Sequence, residues 1–145
     1  MYENEVEILL VEDNQEDAEL TLRAFRKHNL ANKVKVISDG EEAMDYIFTE
    51  GEYADREISD RPRVIFLDLK LPKVSGNEIL KRIKSDERTK QTPVVVLTSS
   101  KEDKDLSECY ENGANSYIVK PVDFDKFFKS VVQLGLYWMV LNEAP

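Results

Sequence analysis

The sequence predicts an α/β domain built around a doubly wound sheet of five parallel strands. Five short apolar runs rich in β-branched residues recur along the 145 residues, and such runs are typical of strands that are covered on both faces. An amphipathic segment with helical spacing follows each run. The repeated strand–helix order favours a three-layer domain with right-handed crossovers. The chain length suits one domain spanning residues 1–145.

The predicted strands are the apolar runs at residues 6–11, 34–37, 64–67, 94–97 and 117–119. Four helices are marked by apolar stripes, at Ala18, Thr21, Leu22 and Phe25, at Met44, Ile47 and Phe48, at Ile79, Leu80 and Ile83, and at Leu106, Cys109 and Tyr110. A fifth helix is expected to begin near Asp123. Ser75 and Glu78 match the capping box that starts a helix, and Asn112 with Gly113 is typical of a helix end.

The net charge of −9 and the single cysteine limit the function classes. Nucleic acid and anionic membranes are disfavoured as partners, because both are bound through clustered Lys and Arg. The first residues lack the basic region of a signal peptide, and no apolar stretch approaches the ~18 residues of a membrane span. One cysteine cannot form an internal disulfide, so we expect a cytoplasmic protein.

Polar side chains follow the apolar runs at the predicted strand ends. Glu12 and Asp13 end the first strand, Asp68 the third, Thr98 the fourth and Lys120 the fifth. Because ligands bind beyond the carboxyl ends of strands in open parallel sheets, these groups should share one rim. Alone, each acid would more commonly cap a helix or form a turn. Their joint occurrence in order along the sheet indicates a site.

Three carboxylates in one pocket repel each other, and a divalent cation relieves the repulsion. Oxygen ligands that leave open positions suit Mg²⁺, which keeps several waters and often bridges to a phosphate. Asp68 could act there as a nucleophile toward phosphorus and form an acyl phosphate. Thr98 and Lys120 are suitable groups to balance the developing negative charge.

Motifs between residue 6 and about residue 131 carry a family resemblance. They are Glu12-Asp13, Asp68 within its apolar run, Leu71-Pro72 with Ser75-Gly76 downstream, Leu97-Thr98-Ser99, Gly113-Ala114 and Lys120-Pro121. On these motifs the chain resembles the receiver domain of two-component response regulators, the CheY-like group. The resemblance implies the flavodoxin-like strand order 2-1-3-4-5.

The resemblance also implies the chemistry of the site. Asp68 is expected to accept a phosphoryl group from the phosphohistidine of a sensor histidine kinase. Asp13, Asp68 and the main-chain carbonyl of Lys70 are expected to bind Mg²⁺ or Mn²⁺ directly, and Glu12 to act through water. The chain would catalyse only its own phosphotransfer and autodephosphorylation.

Four further residues match the switch of the family. Thr98 corresponds to the hydroxyl that moves toward the phosphoryl oxygen, and Lys120 to its ion-pair partner. Tyr117 occupies the aromatic switch position and would turn inward when Thr98 moves. The peptide bond before Pro121 is expected to be cis.

The sequence departs from the commonest receiver pattern in three places. The first acid is Glu12, and a long cation, Lys70, stands two residues after the acceptor, where it could contact the phosphoryl group or hinder attacking water. A polar segment between Thr49 and Arg63 predicts a long loop, which is either functional or a tolerated insertion. In the long loop, the Leu71-Pro72-Lys73 turn and the aromatic last helix, the chain is similar to the stand-alone receivers associated with bacterial phytochromes.

An apolar stripe continues to the end of the predicted fifth helix, at Phe127, Val131, Leu134, Trp138 and Leu141. One helix packed on a sheet needs one stripe, but other apolar residues of this segment add to it. The excess predicts either a loosely folded tail or a contact surface. Receivers commonly form homodimers through the fourth helix, fifth strand and fifth helix. With no output domain in sequence, output through partner contacts or dimerisation is expected.

Three alternatives stay open. An Mg²⁺-dependent phosphatase of the haloacid dehalogenase type would also form an aspartyl phosphate, but it carries a second acid where this chain has Lys70. A flavodoxin-like binding module would need a Gly-, Ser- and Thr-rich loop after the first strand, where residues 12–17 are acidic or amide. A degenerate receiver would act only as a binding module.

Overall fold

The computed structural model describes residues 8–27, 34–57, 62–99 and 103–119. In chain order the elements are β1 (Ile8–Val11), α1 (Gln15–Lys27), β2 (Val34–Ile37), α2 (Gly40–Phe48), a 3₁₀ turn (Gly51–Tyr53), β3 (Val64–Asp68), α3 (Gly76–Ser85), β4 (Val94–Thr98), α4 (Asp103–Glu111) and β5 (Ser116–Val119). All five strands are parallel, in the order β2-β1-β3-β4-β5. The predicted fold class and strand order are confirmed.

The sheet has an apolar core on each face, because successive side chains of a strand point to opposite faces. On one face Ala18 and Phe25 of α1 pack against alternate residues of β1, β3 and β4. Phe25 and Phe66 meet there with their ring centroids 5.4 Å apart. The other face is covered by α2, α3 and α4. Covered on both faces, β1, β3 and β4 are buried at every residue, which explains their continuous apolar runs.

Most residues of the predicted helical stripes are buried, but Leu22, Met44 and Leu106 are only partly buried and Tyr110 is exposed. Ile79, Leu80 and Ile83 of α3 are fully buried, and Ser75 caps that helix by accepting a hydrogen bond from the Glu78 amide at 3.3 Å. On α4 the stripe is narrower than expected. Cys109 is fully buried, but Tyr110 is 50% exposed. The spacing of apolar residues in α4 therefore predicted correctly which side of the helix is buried. It overestimated how wide the buried stripe on that side is.

The chain leaves α4 through a Schellman turn at the predicted signal. Gly113 has φ 99°, its amide donates to the Tyr110 carbonyl, and the Ala114 amide donates to the Cys109 carbonyl. This pattern satisfies the last carbonyls of the helix and requires a residue that tolerates positive φ. Burial of Cys109 raises the pKa of its thiol to about 11, which fits the small buried hydrophobe expected at that position.

The first part of the predicted long loop is folded onto α2. The 3₁₀ turn places Tyr53 edge-on to Tyr46, with centroids 5.0 Å apart, and the Tyr53 hydroxyl donates to Glu42 at 2.7 Å. This hydrogen bond to a carboxylate raises the pKa of Tyr53 to about 12. The guanidinium of Arg56 lies 3.9 Å from the Tyr46 ring centroid. Residues 49–57 are therefore anchored, while residues 58–61 lie outside the described residues.

The C-terminal predictions also fall outside the described residues. These are Lys120, the cis peptide at Pro121, and the fifth helix with its stripe. No helix in the described ranges is both long and apolar enough to cross a bilayer.

A half-buried lysine joins three segments at the amino-terminal edge of β4 and β5. The Lys84 ammonium donates to the carbonyls of Lys90 (3.2 Å) and Thr92 (2.7 Å) and to Asn115 Oδ1 (3.1 Å). Asn115 in turn pairs with the Val94 backbone in both directions at 2.9 Å. Burial lowers the pKa of Lys84 to about 8.

We expect Lys84 to make the stability of the protein depend on pH. Since its pKa is lower folded than unfolded, the unfolded state binds more protons between pH about 8 and 10.5. The free energy of unfolding should rise with pH across this window by about 1 kcal/mol relative to Lys84→Met, after allowing for solvent screening. Urea titrations of both proteins at several pH values measure the difference. Lys81→Met, at an exposed position of the same helix, is the control, and an equal slope in Lys84→Met would contradict the assignment.

Candidate functional site

The register of β1 and β3 brings the predicted acids together. Val11 pairs with Leu67, so Glu12 and Asp68 follow side by side at the carboxyl ends of two adjacent parallel strands. Asp13 comes next along the chain. One carboxylate oxygen from each of Glu12, Asp13 and Asp68 lies within 4.8 Å of the other two. The predicted convergence of the three acids is confirmed.

Two of these carboxylates are buried. Glu12 is 2% and Asp68 7% exposed, whereas Asp13 is exposed. The Asn14 amide donates to Glu12 Oε2 at 3.3 Å, and the Lys70 amide donates to Asp68 Oδ1 at 3.0 Å. Buried carboxylates need paired charge or a bound metal. A compact set of hard oxygen donors open to solvent on one side fits Mg²⁺ or Mn²⁺.

Asn14 is a site residue that sequence reasoning missed. Its side chain accepts a hydrogen bond from the Asp17 amide at 2.9 Å and so caps α1. Because Asn14 performs the capping, Glu12 and Asp13 are available for the acidic cluster. The spacing of Asn14 and Asp17 could have signalled this role, since an amide three residues before an acid is a common helix start.

The backbone next to the acceptor packs against a glycine, Gly76, at the start of α3. The Gly76 amide donates to the Leu69 carbonyl at 3.0 Å. A Cβ at Gly76 would lie 2.3 Å from the Asp68 carbonyl oxygen and 2.6 Å from Leu69 Cα. Close approach to the backbone of Asp68 is therefore the reason for glycine at this position.

The hydroxyl and aromatic residues of the predicted switch lie on the neighbouring strands. Thr98 is the last residue of β4 and is fully buried. Leu97 pairs with Asp68, so Thr98 lies one step further along the same rim. Tyr117 of β5 is partly buried and packs against the larger core. Val119 pairs with Thr98, and the next residue, Lys120, lies outside the described residues. The Lys70 side chain is exposed.

Comparison with known families gives a match over most of the chain. The family model described as the response regulator receiver domain matches residues 8–132. Receivers of two-component systems are phospho-accepting signalling modules that interact with sensor kinases, so the predicted class of function is confirmed over the phosphatase and binding-module alternatives. The finding places the chain in a family of signalling proteins rather than of classical enzymes.

Curated relatives extend along nearly the whole sequence. The probable methanogenesis regulatory protein FilR2 of Methanothrix harundinacea is 42% identical over 138 residues, which are 95% of this chain and 86% of FilR2. Response regulator Rcp1 of Synechocystis is 37% identical over 138 residues, covering 95% of this chain and 92% of Rcp1.

Solved structures give the same result. The phosphorylated cyanobacterial phytochrome response regulator RcpA has a TM-score of 0.84 and 39% identity, with 95% of this chain and 96% of RcpA covered. The Mn²⁺-bound form of Rcp1 has a TM-score of 0.84 and 35% identity, with 95% and 97% covered. The expected Mg²⁺ or Mn²⁺ cofactor is confirmed at the level of the family. The chain belongs to the receiver domain family of response regulators, and it is similar to the phytochrome-associated members of that family.

Proposed function

We propose that Asp68 accepts a phosphoryl group from a sensor histidine kinase in an Mg²⁺-dependent reaction. The observation that carries the proposal is the set of three carboxylate oxygens, from Glu12, Asp13 and Asp68, within 4.8 Å of one another. The terminal position of Asp68 on β3 and the buried Thr98 beside it support the assignment.

In the proposed reaction an Asp68 carboxylate oxygen attacks the phosphorus of the phosphohistidine. The P–O bond of an acyl phosphate forms as the P–N bond breaks, and the imidazole leaves with the bonding electron pair. Loss of the phosphoryl group follows when water attacks the same phosphorus and Asp68 is regenerated. The exposed Lys70 side chain, two residues from the acceptor, is proposed to influence that water.

The proposed metal ligands are Asp13, Asp68 and the main-chain carbonyl of Lys70, with Glu12 acting through water. A divalent cation bound there supplies positive charge against the carboxylates and the transferring phosphoryl oxygens. Lys70 contributes to the acceptor in a second way, because its amide holds Asp68 Oδ1 at 3.0 Å. This hydrogen bond orients one carboxylate oxygen.

The proposed signal is a two-state rearrangement that begins at Thr98. Its hydroxyl moves toward the phosphoryl oxygen, Lys120 pairs with the same group, and Tyr117 turns inward. The partly buried position of Tyr117 against the core supports a side chain with an inner and an outer state. The output is proposed to be a protein contact made in the cytoplasm by this single receiver domain.

We further propose a homodimer through α4, β5 and the fifth helix. Tyr110 on α4 is 50% exposed, and an exposed large aromatic side chain on that helix supports a contact there. The apolar stripe of Phe127, Val131, Leu134, Trp138 and Leu141 supplies the other part of the proposed contact in sequence. Tryptophan is a common anchor of such interfaces.

Asp13→Asn should separate stability from metal binding. Removing one of three close negative charges should raise the free energy of unfolding without metal by about 1 kcal/mol, a figure set by screened repulsion at this distance. The same change should abolish most of the thermal stabilisation that Mg²⁺ gives the native protein. Melting curves with and without Mg²⁺ test both effects, and an unchanged Mg²⁺ response would contradict the ligand assignment.

Asp68→Asn should abolish phosphorylation. With Mg²⁺ and acetyl phosphate, intact-mass analysis should show a phosphoryl adduct on the native chain and none on the variant, because an amide is not a nucleophile of this kind. Beryllofluoride binding should be lost in parallel. Asp55→Asn, at an exposed position outside the site, should keep the adduct. If the native chain gains no adduct, or if Asp68→Asn still binds beryllofluoride, the proposed function fails.

Trp138→Ala should weaken the dimer about 30-fold if Trp138 is a central anchor. Sedimentation velocity over a concentration series should show the shift toward monomer. Val36→Ala removes a partly exposed apolar side chain from the opposite edge strand and should leave sedimentation unchanged. A native chain that sediments as a monomer, or a variant identical to it, would contradict the dimer.

A further inference from the structure

The loop between β3 and α3 forms part of the site through its backbone. It contains Lys70, whose amide holds Asp68 Oδ1 and whose carbonyl is a proposed metal ligand. At its far end Gly76 packs directly on the Asp68 carbonyl, with no space for a Cβ. A displacement in the middle of this loop can therefore be absorbed only by the residues between Asp68 and Gly76, which include Lys70.

The middle of the loop is a strained turn. Lys73 has φ 71°, a conformation that costs free energy for a residue with a Cβ. The turn is closed by a hydrogen bond from the Val74 amide to the Pro72 carbonyl at 2.9 Å. Such a conformation persists only when neighbouring structure holds it in place.

The neighbouring structure is the start of α2. The Gly40 amide donates to the Pro72 carbonyl at 3.2 Å, so that this oxygen accepts two hydrogen bonds. A Cβ on Gly40 would lie 2.2 Å from the Val74 carbonyl oxygen and 2.9 Å from the Val74 carbonyl carbon. Gly40 is not in the left-handed region. Glycine is thus required here by the close approach of two backbones.

Asp39 completes the contact. Its Oδ1 accepts a hydrogen bond from the Glu42 amide at 2.7 Å and caps α2, while its Oδ2 lies 3.8 Å from the Lys73 ammonium. One carboxylate therefore links the helix start to the strained residue. The backbone contact at Gly40 carries the larger share, because the Lys73 side chain is 57% exposed and its ion pair is screened.

We propose that Gly40 and Asp39 are positioning residues of the phosphoacceptor site, which hold the Pro72–Lys73–Val74 turn so that the Lys70 backbone stays in place at the metal. This inference rests on the proposed function of Asp68. The start of α2 thereby acquires a role in metal affinity, although α2 contributes no acid to the cluster. Residues that orient metal ligands commonly change affinity 10–100-fold when they are altered.

Gly40→Ala should weaken Mg²⁺ binding about tenfold. Its acetyl phosphate reaction should be slow at low Mg²⁺ and return to the native rate at saturating Mg²⁺, because Asp68 itself is untouched. Gly113→Ala is the matched control. It introduces a Cβ at φ 99°, 2.7 Å from Lys84 Cγ. The resulting strain lies at the amino-terminal ends of β4 and β5, away from the acidic cluster. This variant should lose stability and keep the native Mg²⁺ affinity, as measured by calorimetry.

A measurement on the native chain makes the test independent of how the variants fold. Hydrogen exchange of the Gly40 amide, which is bonded to Pro72, should slow several-fold when Mg²⁺ binds, because the metal holds the same loop from its other side.

Asp39→Asn keeps the cap, since Asn is an equal capping residue, and should weaken Mg²⁺ binding only a few-fold.

The two proposals fail in different ways. If the native chain binds no Mg²⁺ and gains no phosphoryl adduct, the proposed function fails and the inference fails with it. If the native chain does both, but Gly40→Ala binds Mg²⁺ as tightly and Gly40 exchange is insensitive to Mg²⁺, only the positioning role is overturned. An equal loss of Mg²⁺ affinity in Gly113→Ala would also overturn it, because general destabilisation would then explain the effect.

Discussion

Repulsion among three carboxylates is the constraint on which the other features of the site depend. The parallel register of β1 and β3 places Glu12 and Asp68 side by side, and both are buried where water screens charge poorly. The amides of Asn14 and Lys70 supply partial positive charge from the loops. The proposed divalent cation would add positive charge at the same place, so metal binding would serve the electrostatics of the site as well as its chemistry. In the proposed reaction a phosphoryl group brings further negative charge to the same place. The electrostatic interactions of every group that contacts the acids would then change.

Much of this was predictable because it depends on local sequence. A strand buried on both faces appears in the sequence as a continuous apolar run. Glu12 follows that run in β1, and Asp68 ends it in β3, so the two acids mark where each strand reaches the rim. The cap of α3 at Ser75 and the left-handed turn after α4 at Gly113 were also predicted correctly, since capping and left-handed turns need particular residue types within a few positions.

Contacts between distant segments were not predictable in the same way. Gly40 looks like an ordinary turn glycine until its distance to Val74 is known. The three hydrogen-bond acceptors of Lys84 come from two separate loops. The sequence around Lys84 resembles that of an exposed lysine and gives no sign of these contacts. The exposure of Tyr110 belongs to the same class, because helical spacing gives the direction of a buried face but not the width that neighbouring elements cover.

The buried thiol of Cys109 has a practical consequence for studying the switch. Cys109 is the single cysteine of the chain, and a thiol with a pKa of about 11 that is fully covered reacts poorly with alkylating reagents. A cysteine introduced on the surface of α4 would therefore be labelled selectively without altering the native residue. Spin labels or fluorophores placed in this way could follow the helix before and after phosphorylation in an otherwise native background.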